Sequence, residues 1–281
     1  MSIGRNRWLP HLVLLIGVVI FVFPIYLTFI GSTHDAPTIS RGDMPLTMGD
    51  DLVENYEAAL FSGVGDRVRG TPALTLLRNS FVMAIVIVVG KIAISLLSAF
   101  AVVFFEFPLR MFFFWMIFIT LMLPVEVRMI PTYAVVANLG MVDTFAGLTI
   151  PLIASATATL LFRQFFLTIP DELVDAAQID GAGPMRFFWS VLLPLSRTNI
   201  AALFVIMFIY GWNQYLWPLI VTTSRDRETI VIGIVKMIGS GESATDWHMI
   251  MAVAMLALIP PVLIIILMQR WFVKGLVDPE K

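Results

Sequence analysis

The chain contains no cysteine. Disulfides, thiolate metal centres and a cysteine nucleophile are therefore excluded. Charge is also scarce. Asp, Glu, Lys and Arg make up 14% of the residues and nearly cancel, leaving a formal net charge of -2. That balance offers no basic surface for nucleic acid. The three histidines, His11, His34 and His248, are scattered without metal-ligand spacing, so no metal site is expected. There is no G-x-x-x-x-G-K-S/T run: Gly90-Lys91 lies inside an apolar stretch with no earlier glycine at the required distance. Gly-x-Ser-x-Gly is missing, and no pair of acids shares an apolar stretch. An enzyme would need a clustered nucleophile, acid or metal set, and none is legible. No cofactor is expected.

What the chain has in abundance is apolar surface. Hydrophobic residues make up 59% of it, and the mean hydropathy is +0.90. A soluble core does not need so much, whereas runs of about 20 apolar residues cross a bilayer as helices. Hydropathy places six spans near Leu12–Ile30, Phe81–Phe105, Met111–Pro131, Phe145–Phe162, Ile200–Val221 and Met249–Met268. The expected fold is all-α and integral to the membrane, with about six transmembrane helices in one domain over 1–281. Arg5 and Arg7 precede the first run like the start of a signal peptide. The run is long and lacks a small-residue cleavage site, so an uncleaved anchor is expected. The Met-rich and Phe-rich spans read as packing and lipid contact.

Two polar segments interrupt the apolar pattern. Residues 31–80 are rich in Gly, Pro and acids, and should carry a helix around Leu52–Phe61. Residues 163–199 form the second. The Arg5/Arg7 and Arg270/Lys274 pairs favour cytoplasmic termini, which places 31–80 outside and 163–199 in the cytoplasm. Within the second loop, Pro170 suits a first helical position, and Asp171 and Glu172 suit a first turn, where they complement the helix dipole. Leu173, Val174, Ala176 and Ala177 give a short apolar face. Gly181 and Gly183 fit a helix end, Pro184 starts a second helix and Pro194 closes it. The shape suits either a docking element or an amphipathic helix lying in the headgroups.

The residues of this loop carry a resemblance. Asp175-Ala176-Ala177, three residues, Gly181, nine residues, Val191, one residue and Leu193-Pro194 is similar to the EAA motif of ABC importer permeases. Asp175 replaces the usual Glu and Val191 the usual Ile. The flanking Arg163-Gln164-Phe165-Phe166, Ile169-Pro170-Asp171-Glu172-Leu173 and Ile179-Asp180-Gly181-Ala182 resemble the carbohydrate-uptake branch. So do Trp212-Asn213 and Arg270-Trp271-Phe272-Val273-x-Gly275-Leu276, and the likeness spans essentially the whole chain.

The resemblance implies a multi-pass permease subunit of the bacterial cytoplasmic membrane. It implies a second homologous permease, two ATP-binding subunits that bind the ATP, and an extracytoplasmic substrate-binding protein. It assigns the ATPase-coupling role to Asp175, Ala176, Ala177, Gly181, Leu193 and Pro194. It points first to sn-glycerol-3-phosphate or glycerophosphodiesters as substrate, and next to a neutral sugar or oligosaccharide. A secondary transporter is the distant alternative. It would need intramembrane acids or broken helices, and no acid comparable to Lys91 lies in the spans.

The substrate pathway has five candidates. Lys91 lies near the middle of the second span, where a cation is costly. It supplies a transient counter-charge to an anion, or it faces the partner permease. In the fifth span, Tyr210, Asn213, Gln214 and Trp217 follow the i, i+3, i+4, i+7 rule. They line the passage, or they form an interfacial aromatic belt. Glu126 and Arg128, between Pro124 and Pro131, form a gate or a solvated ion pair.

Overall fold

A computed structural model of the chain describes residues 8–63, 70–120, 123–239 and 246–277. Among the described residues the elements are helical and no strand occurs. Helix α1 (Trp8–Gly31) is apolar around its circumference and exposed until its last turn. A helix of that kind has lipid or protein, not water, as its medium. Helix α2 (Ala36–Ser40) is capped by Asp35, which accepts from the Thr38 N–H. Helix α3 (Leu52–Glu57) runs on into a π turn over Ala58–Ser62, where the sequence places a helix.

Helix α4 (Ala73–Phe104) has 32 residues, or about 48 Å at the usual rise. The apolar core of a bilayer is about 30 Å thick, so α4 overshoots it. Its first turns lie ahead of the apolar run. They are held in a polar setting, where the Asn79 amide donates to the carbonyls of Asp226 and Glu228 at 2.8 and 2.9 Å. The polar loop expected to reach Ser80 accordingly ends at Pro72.

The third apolar run is not one helix. Helix α5 (Arg110–Ile119) stops, and α6 (Val125–Asn138) begins after Pro124. The cause is local: Pro124 has no N–H to give, and it disfavours helical geometry at Leu123. The fourth run is also interrupted. Helix α7 (Phe145–Thr149) ends in a 3₁₀ turn with Pro151, and α8 (Ala156–Phe166) starts after Ser155 caps the Ala158 N–H; the two halves meet at 45°.

The second polar loop holds α9 (Asp171–Ile179), α10 (Pro184–Phe187) and α11 (Leu193–Leu195). The fifth run divides into α12 (Arg197–Trp212) and α13 (Leu216–Val221). Pro218 explains the gap, because in a continuous helix its ring would clash with the carbonyl of Gln214. Helix α14 (Ile230–Gly239) is apolar and short, and α15 (Trp247–Val277) is long. Helices α1, α4 and α15 are each long and apolar enough to cross a membrane unbroken. Two bent pairs, α7–α8 and the segment Pro184–Leu195 followed by α12, reach that length and apolarity only when the two halves of each are taken together.

The chain divides into two compact units. One comprises the residues through Leu77 together with Ile230–Ile259. In it the Asn55 amide donates to the carbonyls of Ser32 and His34, and the Ser32 and Tyr56 hydroxyls meet at 3.0 Å. This ties α3 to the chain leaving α1. An open groove of about 540 Å³, lined by Phe29, Leu52, Tyr56, Phe61, Met255 and Ile259, is almost wholly apolar.

The other unit comprises Arg78–Thr229 and the residues from Pro260 on. Its core joins Met83 and Ile87 of α4 to Val136, Leu148, Trp217 and Val221. The Trp217 indole N–H donates to the Gly147 carbonyl at 3.1 Å. Asp143 accepts from the Thr223 and Ser224 N–H groups at 3.0 Å each. Burial pushes the Asp143 carboxyl up, but these bonds and the Arg227 charge outweigh it and hold the group below its ordinary range.

Candidate functional site

The polar loop after α8 is built from strong local signals. Pro170 takes the capping position itself, one residue before the first-turn place expected of it, and Asp171 and Glu172 open α9. At the other end Gly181 has φ +71°, a left-handed conformation that costs other residues energy. The Gly181 N–H donates to Gln178 and the Ala182 N–H to Ala177, both at 2.9 Å. This is the reciprocal bond pair of a Schellman ending, and it satisfies two carbonyls that would otherwise be left open. Gly183 then caps α10, with Pro184 in its first turn.

Pro194 does not close the second helix, contrary to the sequence reading. The backbone widens into a π turn over Phe188–Leu192, with the Leu193 N–H donating five residues back to Phe188. In an ordinary turn Pro194 would collide with the carbonyl of Ser190. The wider turn takes the proline in, and the helix goes on to Leu195. The break comes at Ser196, whose hydroxyl donates to Leu192 at 2.7 Å, and α12 leaves at 71°.

What fastens this loop to the rest of its unit is a set of phenylalanines that the sequence reading left undistinguished. Phe187 packs on Phe104 (5.4 Å between ring centres), Phe188 on Phe100 (5.1 Å), and Phe104 on Phe166 (5.9 Å). Phe166 also meets Phe162. Helices α4, α8 and α10 therefore share one aromatic joint. Such ring pairs contribute about 0.5–1.5 kcal/mol each beyond burial. The chain has 22 phenylalanines, and no spacing sets these apart.

The outer surface of the loop is open. Asp175, Ala176, Gly181 and Pro194 are exposed, Leu193 is half-buried and Ala177 is buried. The apolar face expected of α9 is thus divided: Ala177 and Val174 turn inward, Leu173 and Ala176 outward. Ile179 is 86% exposed and Trp189 61%, with Leu173 and Met185 also uncovered. An added Cβ at Gly181 would have no atom within 4 Å. Among the described residues no side chain bonds to Asp175. Large apolar groups and an unpartnered carboxylate are thus left uncovered on this loop.

The pathway candidates fare unevenly. The one-face argument for Tyr210, Asn213, Gln214 and Trp217 needs an unbroken helix, and α12 stops at Trp212. Asn213 ends α12, and the Gln214 amide donates to the Tyr210 carbonyl at 3.1 Å. Trp217 is buried in the core, so it stands neither in an interfacial belt nor on the face proposed for it. Lys91 and Tyr210 do come together, with the ammonium 3.7 Å from the ring centre. Lys91 is only 5% exposed, covered by its own chain instead of facing outward. Arg163, at the end of α8, lies over the Phe114 ring at 4.3 Å with its Nε unbonded. Among the described residues no group of three or more His, Asp or Glu side chains gathers.

Arg5, Arg7, Arg67, Arg69 and Lys281 lie outside the described residues, as do the side chains of Glu126, Lys274 and Trp271–Val273.

Residues 91–278 match the family model described as binding-protein-dependent transport system inner membrane component. The sn-glycerol-3-phosphate transport system permease protein UgpE of Rhizobium meliloti is 64% identical over 276 residues, covering 98% of this chain and 98% of that one. Its counterpart in Brucella melitensis is 62% identical over the same shares. The one in Yersinia pestis is 56% identical over 96% of each. Among solved structures, a bacterial ABC transporter involved in the import of the acidic polysaccharide alginate has a chain that superposes with a TM-score of 0.81 at 20% identity. The match covers 97% of this chain and 99% of that one, and it establishes a shared fold.

Proposed function

Because this chain belongs to the family of binding-protein-dependent transport system inner membrane components, we propose that it is a permease subunit of an ATP-driven importer of sn-glycerol-3-phosphate or glycerophosphodiesters. The observation that carries the substrate class is the likeness to permeases named for sn-glycerol-3-phosphate, at 56–64% identity over nearly their whole length. The chain forms half of a pathway completed by a second permease. Two ATP-binding subunits dock on the cytoplasmic side, and an extracytoplasmic binding protein delivers substrate. Both termini face the cytoplasm.

The mechanism follows from the loop. A coupling element works only if it binds its partner differently in two states. Leu173, Ile179, Met185 and Trp189 supply apolar area for an ATPase cleft, Asp175 an anchor for a donor, and Gly181 the turn between. Displacement of the loop then reaches α4 and α8 through Phe187, Phe188, Phe100, Phe104 and Phe166, and reaches α12 through the bend at Ser196. The three residues of the motif's end, Val191, Leu193 and Pro194, shape that bend and the wide turn before it.

The test is uptake of labelled sn-glycerol-3-phosphate by energised cells with and without this chain, other glycerol-3-phosphate carriers being deleted. Uptake that requires the chain supports the reading. No difference, in cells that assemble the whole complex, discards the phosphate and turns the search to neutral sugars.

A further inference from the structure

We propose that Lys91 is the residue that meets the phosphate of the substrate inside the membrane, a proposal that rests on the importer reading above. Three observations carry it. First, the ammonium is buried, 5% exposed, and no hydrogen bond or ion pair to it is found among the described residues. It sits over the face of the Tyr210 ring. A cation–π contact offsets only part of what burying an ammonium costs. Second, the charged side chain that acts on it is another cation, Arg128. Among the described residues Lys91 has no acidic partner. A permanent ion pair would satisfy a structural lysine; this one is left for an anion that comes and goes.

Third, two of the three interrupted spans adjoin it. Gly90, the residue before Lys91, lets α4 close on the break after α7: a Cβ there would lie 2.6 Å from Ile153. One turn further, the Ser95 hydroxyl donates to the Ser155 carbonyl at 3.2 Å. The other break begins three residues after Tyr210. Irregular backbone at membrane depth is tolerated where it is buried in protein or lines a cavity. In transporters, interrupted helices bring backbone groups to the substrate site. Lys91 is a compact charge on a flexible stem, suited to a phosphate that must be released again. A phosphate monoester carries between one and two negative charges near neutral pH, on the order of -1.5 to -2. A diester carries one, so the monoester gains more from the lysine.

The experiment uses the complete importer in proteoliposomes, with loaded binding protein outside and ATP inside. Uptake of labelled sn-glycerol-3-phosphate and of a glycerophosphodiester is measured for the wild type, Lys91→Met and Lys91→Arg, beside ATP hydrolysis and thermal melting of each complex. Lys91→Met is expected to lower monoester uptake at least about tenfold and diester uptake by less. Hydrolysis should stay within about twofold, and melting should be unchanged or higher, because an under-compensated charge has been removed. Lys91→Arg is expected to keep a third or more of the uptake. Unchanged monoester uptake in Lys91→Met overturns the proposal. So does loss of uptake with lowered melting in both variants, which would make Lys91 a packing residue. A wild type that takes up neither compound refutes the importer reading instead, and the wild-type measurement alone reveals it.

Discussion

Gly181 offers the cleanest separation of backbone strain from partner contact. Its φ of +71° ends α9, yet a Cβ there would touch nothing within 4 Å. Inside the chain, then, a substitution costs conformational energy and no packing. For Ala that cost is about 1–2 kcal/mol, which lowers the ratio of the correctly turned loop to its alternatives roughly 5- to 30-fold. Asn and Asp adopt left-handed geometry with less strain, and they are nearly the same size. Gly181→Asn should therefore keep most of the uptake, whereas Gly181→Ala should lose more of it, by that factor at most. Gly181→Asp has the backbone of the Asn variant but adds a charge beside Asp180, on the exposed surface that the proposed function gives to the ATPase. It is expected to abolish uptake while ATP hydrolysis continues. The assay is uptake and hydrolysis by purified complexes in proteoliposomes, with insertion checked by gel filtration. Normal uptake by a stably inserted Gly181→Asp variant would refute the coupling argument. Equal losses in the Asn and Asp variants would move the cost from charge to bulk at the docking surface.

Other perturbations test the joints around the loop. Phe187→Ala removes a buried ring that packs on Phe104, a change that costs on the order of 3–5 kcal/mol in a core; uptake should fall more than ATP hydrolysis, and equal falls would deny the joint its transmitting role. Trp217→Phe leaves the Gly147 carbonyl without its donor, which costs about 1–3 kcal/mol, read as a lower melting temperature in detergent. Asp143→Ala removes the acceptor of two backbone N–H groups, one of them exposed, and puts Ala at a φ of +59°; each effect should destabilise by about 1–2 kcal/mol. Because the folded Asp143 carboxyl titrates below its ordinary value, its contribution is fully present above about pH 4. It is lost as pH falls through the folded value, so the gap in melting temperature between wild type and Asp143→Ala should narrow in acid. A gap that widens in acid would contradict the assignment.

The loop was legible where single residues carry unambiguous physics. Asp171 and Glu172 mark a helix start, Gly181 a left-handed ending and Pro184 a restart, and each stands within a residue of its expected place. Hydropathy found the apolar runs but not their interruptions, because a window of about 19 residues averages over a three-residue gap. The gaps at 153–155 and 213–215 depend on Pro218 and on Ile153 seating against Gly90, and the second is a contact between distant residues. The span-five face failed for the same reason: the i, i+7 rule holds only along an unbroken helix, and Trp217 lies past the break. The start of α4 is hidden in the sequence because Asn79 looks like a loop residue until the carbonyls of Asp226 and Glu228 are seen to hold its amide. The aromatic joint had no signature at all, since any of the phenylalanines could have been lipid-facing.

The wide turn at Phe188–Leu192 gives the fixed spacing of the loop motif a meaning in angle. Each residue of an ordinary helix advances the chain by about 1.5 Å and 100°. The wide turn holds one residue more than a plain turn, so the segments on either side keep about the phase of an uninterrupted helix. Deleting a residue outside it, at Met185 or Arg186, would shorten the segment by very little but rotate everything before it by more than a quarter of a turn. Phe187 and Phe188 would stay on Phe104 and Phe100, while Asp175 and Ile179 would be turned off the side on which they now stand. The count of residues from Gly181 to Pro194 thus keeps two faces in phase, one packed on α4 and one left exposed for the ATPase of the proposed function. A loop of the right length and the wrong phase would bind one of them and lose the other.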